Sequence, residues 1–438
     1  MTQRVLNFTV ESSDERLTPR AGETVLGEYF KAIGLDRLCD NYFPVSKSNH
    51  SYRPFEMIQP LLLMLHAGGR VLEDVRTITS DKGLRTLLGI QRMPTADTIG
   101  KWLKRTGLQG IYATERVNRT LLRRYLKTID EPLILDMDAT VIESHKSIAM
   151  PTYKEFPGFT PMTGHVNGGY MIHSEFRPGN MAPADNNLWF LKRCENQLPK
   201  GRSFAYVRAD SASYQAKLFN YCNANNITYL IGAHLDAPTL QNIKQITEWE
   251  TLDRHDGEYH HIKEEVAEFL HTMHHTDHAF RIIVIRRQVT PILPTMETFL
   301  DEEELLSLAN ERYSVIATNA EDTAQEVVRL YRQRGETSEN RIKALKGGFN
   351  LNYLPASDFM ANALYFQIGA LAYNLFILFR QTMQQSWQKH TIQTIRYKLY
   401  NIAGKVITHA RKRILKVNRE FVEIINHIRQ RCYEISLE

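Results

Sequence analysis

The stretch Leu133-Ile134-Leu135-Asp136-Met137-Asp138-Ala139-Thr140-Val141-Ile142 follows Glu131-Pro132, where the texture of the chain changes from helical to extended. It reads as a strand, an apolar run with a proline at its entry. Asp136 and Asp138 stand two apart, so both side chains point to one face. Two carboxylates on a buried strand are costly unless they meet a cation. A turn at the end of the strand accounts for Asp138-Ala139-Thr140 equally well, and this stretch alone does not separate the two readings.

Working outward, Gly164 to Phe176 and Arg202 to Ala209 read as further strands, the second running into Asp210-Ser211-Ala212-Ser213-Tyr214. A helix is expected to about Asn225, then a buried strand from Ile227 to Ile231. Strands followed by an alternation of helix and strand predict a mixed α/β sheet with helices on its faces. Asp210 closes a buried strand just before a helix. There it serves as a helix cap or as a functional residue, since functional groups gather at the carboxyl ends of strands in open α/β sheets.

From about Gly22 to Lys127 the pattern is helical. Within it, Met93 to Arg105 predicts a capped helix, with Thr95 as N-cap and Lys101, Lys104 and Arg105 toward its C-terminal end. That helix fits either DNA contact or plain packing. The stretch from about Ala233 to Glu326 is polar, acidic and irregular, with strand-like pieces at Ala279 to Arg286 and Arg312 to Thr318, and reads as an insertion. In it, His271, His274, His275 and His278 are spaced for one face of a helix, as a zinc-binding set or a polar surface, with His260 and His261 as the further ligands.

A third acidic position lies in Tyr331-Arg332-Gln333-Arg334-Gly335-Glu336-Thr337-Ser338-Glu339-Asn340-Arg341-Ile342-Lys343-Ala344-Leu345-Lys346. A helix starting near Thr337 or Ser338 puts Glu339, Lys343 and Lys346 on one face. That face is a solvated ion pair, or an acid holding a metal ion among basic groups that grip phosphates. Beyond it, Ala361 to Phe379 is apolar but contains Asn362, Gln367 and Asn374, and reads as a buried core helix and not as a membrane span. In the tail, Arg411, Lys412, Arg413, Lys416 and Arg419 form a basic patch on a predicted helix. Its apolar residues, Ile407, Ile414, Leu415, Val422 and Ile425, define a packing face, and the basic face is a phosphate contact or a solvated surface.

Five regions follow: a helical region 1–128 of DNA-binding character, an α/β region 129–232, the insertion 233–326, the resumed α/β region 327–380 and a basic helical region 381–438. With 438 residues, 43% hydrophobic and 24% charged, the composition is that of a soluble globular protein. The net charge of +5 is uneven, acidic from about Leu235 to Glu304 and basic after Arg380, which points to a polyanion partner. Cys39, Cys194, Cys222 and Cys432 form no CxxC pair, which argues against a zinc ribbon or a disulfide scaffold. No apolar signal core opens the chain, and a cytoplasmic location is expected.

Taken together, Asp138, Asp210 and Glu339 are oxygen ligands suited to Mg2+ or Mn2+, and two such ions support phosphoryl transfer. In this combination the sequence resembles insertion-sequence transposases of the DDE type with a ribonuclease H-like catalytic domain, in particular the group called transposase DDE domain, group 1, over roughly residues 20–415. The resemblance rests on Ala67 to Asp74, Pro94 to Ile99, Leu135 to Thr140, Phe176-Arg177-Pro178-Gly179-Asn180, Arg208 to Ala212 and the block from Tyr331 to Lys346. Such transposases carry a Tyr-x2-Arg-x3-Glu-x6-Lys signature. Tyr331 and Arg334 fit it, as does Glu339 with Lys346, but the Arg-to-Glu gap is one residue longer, with Ser338 at the expected Glu position. Glu336 is the other acid of the block, placed by this reading before the helix.

The resemblance implies a ribonuclease H-like mixed sheet flanked by helices, with Asp138 as first acid and Asp136 as the runner-up for that place, a further metal ligand or a support of the site. It implies two Mg2+ or Mn2+ ions held by Asp138, Asp210 and Glu339, cutting of double-stranded DNA at terminal inverted repeats, and attack of the freed 3′ hydroxyl on target DNA. Tyr331, Arg334, Lys343 and Lys346 would contact DNA near the cut. A homodimer in the DNA complex, a cytoplasmic, nucleoid-associated location and a β-rich insertion are further implications. A catalytically silent DNA-binding descendant and a metal-dependent nuclease are the alternatives.

Overall fold

Helices begin where the sequence predicts them, but a short strand, β1 (Leu17–Thr18), precedes them. The structure, a computed structural model, describes residues 5–6, 8–46, 48, 50–252, 262–289, 310–410 and 412–437, with the side chains at 262, 289, 310 and 336–339 outside that description. The chain divides into two units, Met1–Val117 with Ala344–Glu438, and Asn118–Lys343.

In the first unit, the helix Pro54–Ala67 is buried nearly all round. Its start is written in the sequence: Pro54 opens the first turn, and Glu56 Oε2 accepts the Arg53 N–H at 2.8 Å. Gly68, at φ 91, ends it. Thr95 caps the helix Ala96–Leu126 by accepting the Thr98 N–H at 3.3 Å, and Gly107 (φ 40, ψ −123) breaks that helix. Trp102 and Leu103 are buried on it, while Lys101, Lys104 and Arg105 are exposed.

The second unit is built on one nine-stranded sheet. Its strands are β2 (Leu133–Ala139), β6 (Met162–His165), β7 (Met171–Glu175), β8 (Phe204–Ala209), β9 (Thr228–Gly232), β10 (Glu250–Thr251), β11 (Ile262–His271), β12 (Phe280–Val289) and β13 (Asn310–Thr318). A small separate sheet holds β3 (Ile142–Glu143), β4 (Met150–Pro151) and β5 (Pro157–Phe159). The large sheet runs β10-β11-β12-β13-β9-β8-β2-β6-β7. β2 pairs parallel with β8 and antiparallel with β6, and β8 pairs parallel with β9. This mixed sheet flanked by helices is consistent with a ribonuclease H-like transposase core.

The polar stretch after Ala233 is more regular than its sequence predicts. Its strands β11, β12 and β13 extend the same sheet through the β13–β9 pairing. Fully buried Glu264 on β11 accepts from Arg332 Nη1 (2.9 Å) and Arg287 Nε (2.8 Å), tying these strands to the helix Ala324–Lys343.

The side chains of β2 divide by parity. Leu135 shares one face with Gly164, where a Cβ would lie 2.7 Å from Cys194 Sγ on the helix Asn187–Glu195. Asp136 and Asp138 face the helix Ala324–Lys343, which reaches them through Arg341 and Arg334.

Back in the first unit, the helix Phe359–Arg380 packs against Pro54–Ala67. It is long and apolar enough to cross a membrane, but 89% of that window is buried, as expected of a core helix. The basic tail departs from its predicted helix: β14 (Gly404–His409) and β15 (Lys412–Lys416) form a hairpin that pairs with β1, and a helix starts only at Arg419. Ile407 and Ile414, expected on a helix face, are cross-strand partners.

Glu23, fully buried in this unit, makes no hydrogen bond to any described residue through either carboxylate oxygen, and Arg20 Nε lies 3.6 Å away. Burial pushes its carboxyl up from 4.5 to about 8, the charge of Arg20 opposing and that of Asp81 adding. Between those values the folded state holds a proton that the unfolded chain has lost, so stability falls as pH rises through the window. Glu23→Gln is expected to raise the urea midpoint at about pH 9 and to leave it nearly unchanged at about pH 4, as read by circular dichroism.

Candidate active site

Asp136 on β2 lies opposite Arg208 on β8 and His165 on β6. The parallel register aims Arg208 straight at it: Nε donates to Oδ1 at 2.6 Å and Nη2 to Oδ2 at 2.9 Å. Arg341, from the helix Ala324–Lys343, adds a bond from Nη1 to Oδ2 at 2.7 Å. Arg208 also donates to Leu330 O at 2.6 Å, on the same helix. Asp136 is 2% exposed, and both of its oxygens are engaged by guanidinium groups. A carboxylate so committed is a clamp between sheet and helix.

Asp138, one step along the same face, is placed differently. Arg334 Nη2 lies 3.4 Å from its Oδ1 and also donates to Met137 O at 3.2 Å. Burial pushes the Asp138 carboxyl up to about 6, with Arg334 opposing and the charges of Asp210 and Asp136 adding. Asp210 follows β8 directly, and its Oδ1 accepts the Ala212 N–H at 3.1 Å. It is thus a cap through one oxygen while its charge acts on Asp138. The two acids stand at the carboxyl ends of neighbouring parallel strands.

Two phenols lie in the field of both acids, Tyr331 and Tyr153. The Tyr331 hydroxyl donates to Ala209 O at 3.3 Å. Gly232 makes room for it, since a Cβ there would lie 2.9 Å from Tyr331 Oη and 3.1 Å from Ser211 N. Tyr153 had no signal in the sequence, because the small sheet that carries it shows no periodicity of its own.

The helix around the third acidic position starts at Ala324, well before Thr337. Tyr331, Arg334 and Arg341 therefore share one helix and one face, and Glu336 lies within the helix and not ahead of it. The early start went unread because the N-terminal half of the helix packs on strands β11 and β12, a non-local pairing. Glu339 is on this helix, but its side chain lies outside the described residues. At 3.6 residues per turn, position 338 falls about 40° round from Arg334 and position 339 about 140°. Lys343 is exposed at the helix end, and Lys346 lies in the π-helical turn Ala344–Gly348, out of the α-helical register with Glu339.

The histidine spacing does not form a helix face. His271 ends β11, and His274 and His275 sit in the connection to β12, His275 at φ 72. Paired strands override the local helical spacing here. His260 and His261 lie outside the described residues. Among the described residues, no three His, Cys, Asp or Glu side chains converge as a metal set. Of the tail residues, Lys412 and Arg413 are exposed on β15, and Arg411 lies outside the described residues.

The family described as transposase DDE domain group 1 matches residues 3–433. The chain belongs to this transposase family. No curated protein matches it. DNA is the substrate of DDE transposases, which generally use divalent metal ions. Asp138 and Asp210 fit that requirement: both are hard oxygen donors, and their mutual repulsion is the kind that a divalent cation relieves.

The two aspartates of β2 should respond oppositely to amide substitution in this transposase, in the presence of EDTA. Asp136→Asn leaves Arg208 and Arg341 buried beside an amide and is expected to lower the unfolding free energy by about 3 kcal/mol. At Asp138, raising the carboxyl from 3.8 to about 6 costs the folded state stability as pH rises through that window. Asp138→Asn is therefore expected to stabilise at neutral pH by about 1–2 kcal/mol. Guanidinium denaturation of both variants measures this; equal losses at the two positions would contradict the division of roles.

Proposed function

We propose that the protein is a cut-and-paste transposase that cleaves DNA at the ends of an insertion sequence and joins the freed 3′ hydroxyl to target DNA. The observation that carries this reading is the meeting of Asp138 and Asp210 at the carboxyl ends of β2 and β8, beside Arg334 and Tyr331.

In this reading Asp138 is the first acid, Asp210 the second and Glu339 the third, and together they hold Mg2+ or Mn2+, two ions per site. Bound there, the ions supply charge neutralisation and an activated nucleophile for phosphoryl transfer. Asp136 is the support, engaging Arg208 and Arg341 so that their charge is spent on positioning the helix. Arg334 orients the Asp138 carboxylate, and Tyr331 holds the turn that carries Asp210. Lys343 and Lys346 reach phosphates near the cut. Lys101, Lys104 and Arg105 on one helix, Lys412 and Arg413 on β15, and Arg411 contact double-stranded DNA through its phosphates. The terminal inverted repeats and target DNA are the partners, two copies of the chain act together in the complex, and the work is done in the cytoplasm on the nucleoid.

A supercoiled plasmid carrying this gene with its own flanking DNA, incubated with protein and Mg2+ or Mn2+, tests the proposal. Asp138→Asn, Asp210→Asn and Glu339→Gln are each expected to reduce cleavage by about a thousand-fold or more. Affinity for the flanking ends should stay within about twofold by mobility shift. Glu336→Gln, run alongside, should cut normally; loss there with retention in Glu339→Gln would move the third acid. Cleavage without joining of a pre-cut 3′ end would leave a nuclease, and end binding without cleavage a DNA-binding protein.

A further inference from the structure

The connection between β4 and β5 is the tight turn Thr152-Tyr153-Lys154-Glu155. The Glu155 N–H donates to Thr152 O at 3.0 Å, Thr152 Oγ1 donates to Phe156 O at 2.8 Å, and Glu155 adopts φ 64. This is a hairpin turn closed by a left-handed residue. Its central residues are Tyr153 and Lys154. Tyr153 is 54% exposed, and its hydroxyl makes no hydrogen bond with any described residue.

The turn is braced on both sides. Thr160, just past β5, accepts no slack: its N–H donates to Arg177 O at 3.1 Å and its Oγ1 to Pro178 O at 2.8 Å. Gly179 lies so close that a Cβ there would come within 2.2 Å of Met150 O and 2.5 Å of Gly158 O. Buried Arg177 fixes this loop by donating to Glu175 Oε2 (2.9 and 2.7 Å) and to Asp185 O (3.0 Å). The far end of the same loop is tied to the turn that carries Asp210. Asn187 Nδ2 donates to Ala212 O (3.1 Å) and Ser213 Oγ (3.0 Å), and Gln215 Nε2 to Ala184 O (2.7 Å). The Tyr153 turn and the Asp210 turn therefore hang from one loop, and the charges of Asp210 and Asp138 act on the phenol.

An exposed hydroxyl on a turn tied to the loop that carries the Asp210 turn, with no hydrogen bond to any described residue, is a donor awaiting an acceptor. As a neutral donor it does not pair with the acids as a lysine or arginine would, so their charge stays available to a cation. It still offers an O–H to an anionic oxygen brought to the same place. Lys154, exposed beside it, adds positive charge on the outer side. We propose that the Thr152–Glu155 turn is a substrate-contacting part of the site, in which the Tyr153 hydroxyl donates a hydrogen bond to a non-bridging phosphate oxygen of the strand at the acid pair and Lys154 contacts a neighbouring phosphate. The inference rests on the acids acting on DNA, as in the proposed function.

Tyr153→Phe removes one oxygen from an exposed ring and no contact within the protein, so the melting temperature should not move. In the plasmid assay with Mg2+, its cleavage rate at saturating protein is expected to fall about tenfold, the worth of a hydrogen bond to a charged acceptor. Its affinity for the element's ends, by mobility shift, should change by less than about twofold. Lys154→Ala should weaken that affinity and make its salt dependence shallower; an unchanged affinity and salt slope would remove Lys154 from the proposed contact. A Tyr153→Phe protein that cuts at the wild-type rate overturns the proposal, as does one whose rate falls only together with its melting temperature. Asp138→Asn in the same assay separates the two ideas. If it is inactive while Tyr153→Phe is normal, only the inference falls; if it cuts like wild type, the reading of the acids falls and takes the inference with it.

Discussion

The second unit is organised around one buried carboxylate. Asp136 lies on an interior strand of a nine-stranded sheet, third from one edge, and is out of reach of water. A lone charge there would be strongly unfavourable, so the chain around it has to deliver positive charge with good geometry. Arg208 arrives from the adjacent parallel strand with a two-pronged contact, and Arg341 from the helix that crosses the sheet. Because those two arginines answer to one acid, the helix Ala324–Lys343 can slide neither along nor away from β2 without exposing an unpaired charge. The remaining contacts of that helix are set by the same restraint: Arg334 falls beside Asp138, Tyr331 against Ala209, and Arg332 on Glu264.

Asp138 shows what the clamp leaves over. It shares a face with Asp136, yet it has a single arginine at 3.4 Å and the like charge of Asp210 close by. Two aspartates of the same strand thus differ in role through their surroundings alone. One carboxylate is saturated and holds the scaffold, while the other is held under repulsion, with its carboxyl raised toward neutrality. A pair of acids held under mutual repulsion is where a cation and an anionic substrate are best accommodated.

Much of this was legible before folding was considered. The alternation of β2, the strands of residues 204–209 and 228–232, the cap at Thr95 and the core helix Phe359–Arg380 all follow local patterns, and all formed as read. The failures have a common origin. The tail around Lys412 spaces its apolar residues for a helix face, yet it forms a hairpin because β14 finds β1 at the far end of the chain. The histidines from 271 to 278 are spaced for a helix but straddle a strand end and a turn, because β11 and β12 pair along their whole length. The helix at Ala324 begins in a polar, weakly patterned stretch and owes its place to packing on strands distant in sequence. In each case strand pairing or packing outweighed a local helical preference, and for the tail and the helix at Ala324 the deciding partner lies far away in the sequence.

The sequence by itself determined that Asp136 and Asp138 share a face, that Asp210 ends a buried strand, and that a basic, glutamate-bearing segment follows later. Parity along a strand and capping at its end are properties of neighbouring residues, so they are readable locally. Which aspartate is committed and which is available was decided only by the tertiary structure. The groups that make the difference are Arg208 and Arg341, 72 and 205 residues from Asp136 along the chain, and folding brings them to it. The same holds for Tyr153, which becomes part of the site only because a loop closed by Arg177 and Gly179 holds its turn beside that of Asp210.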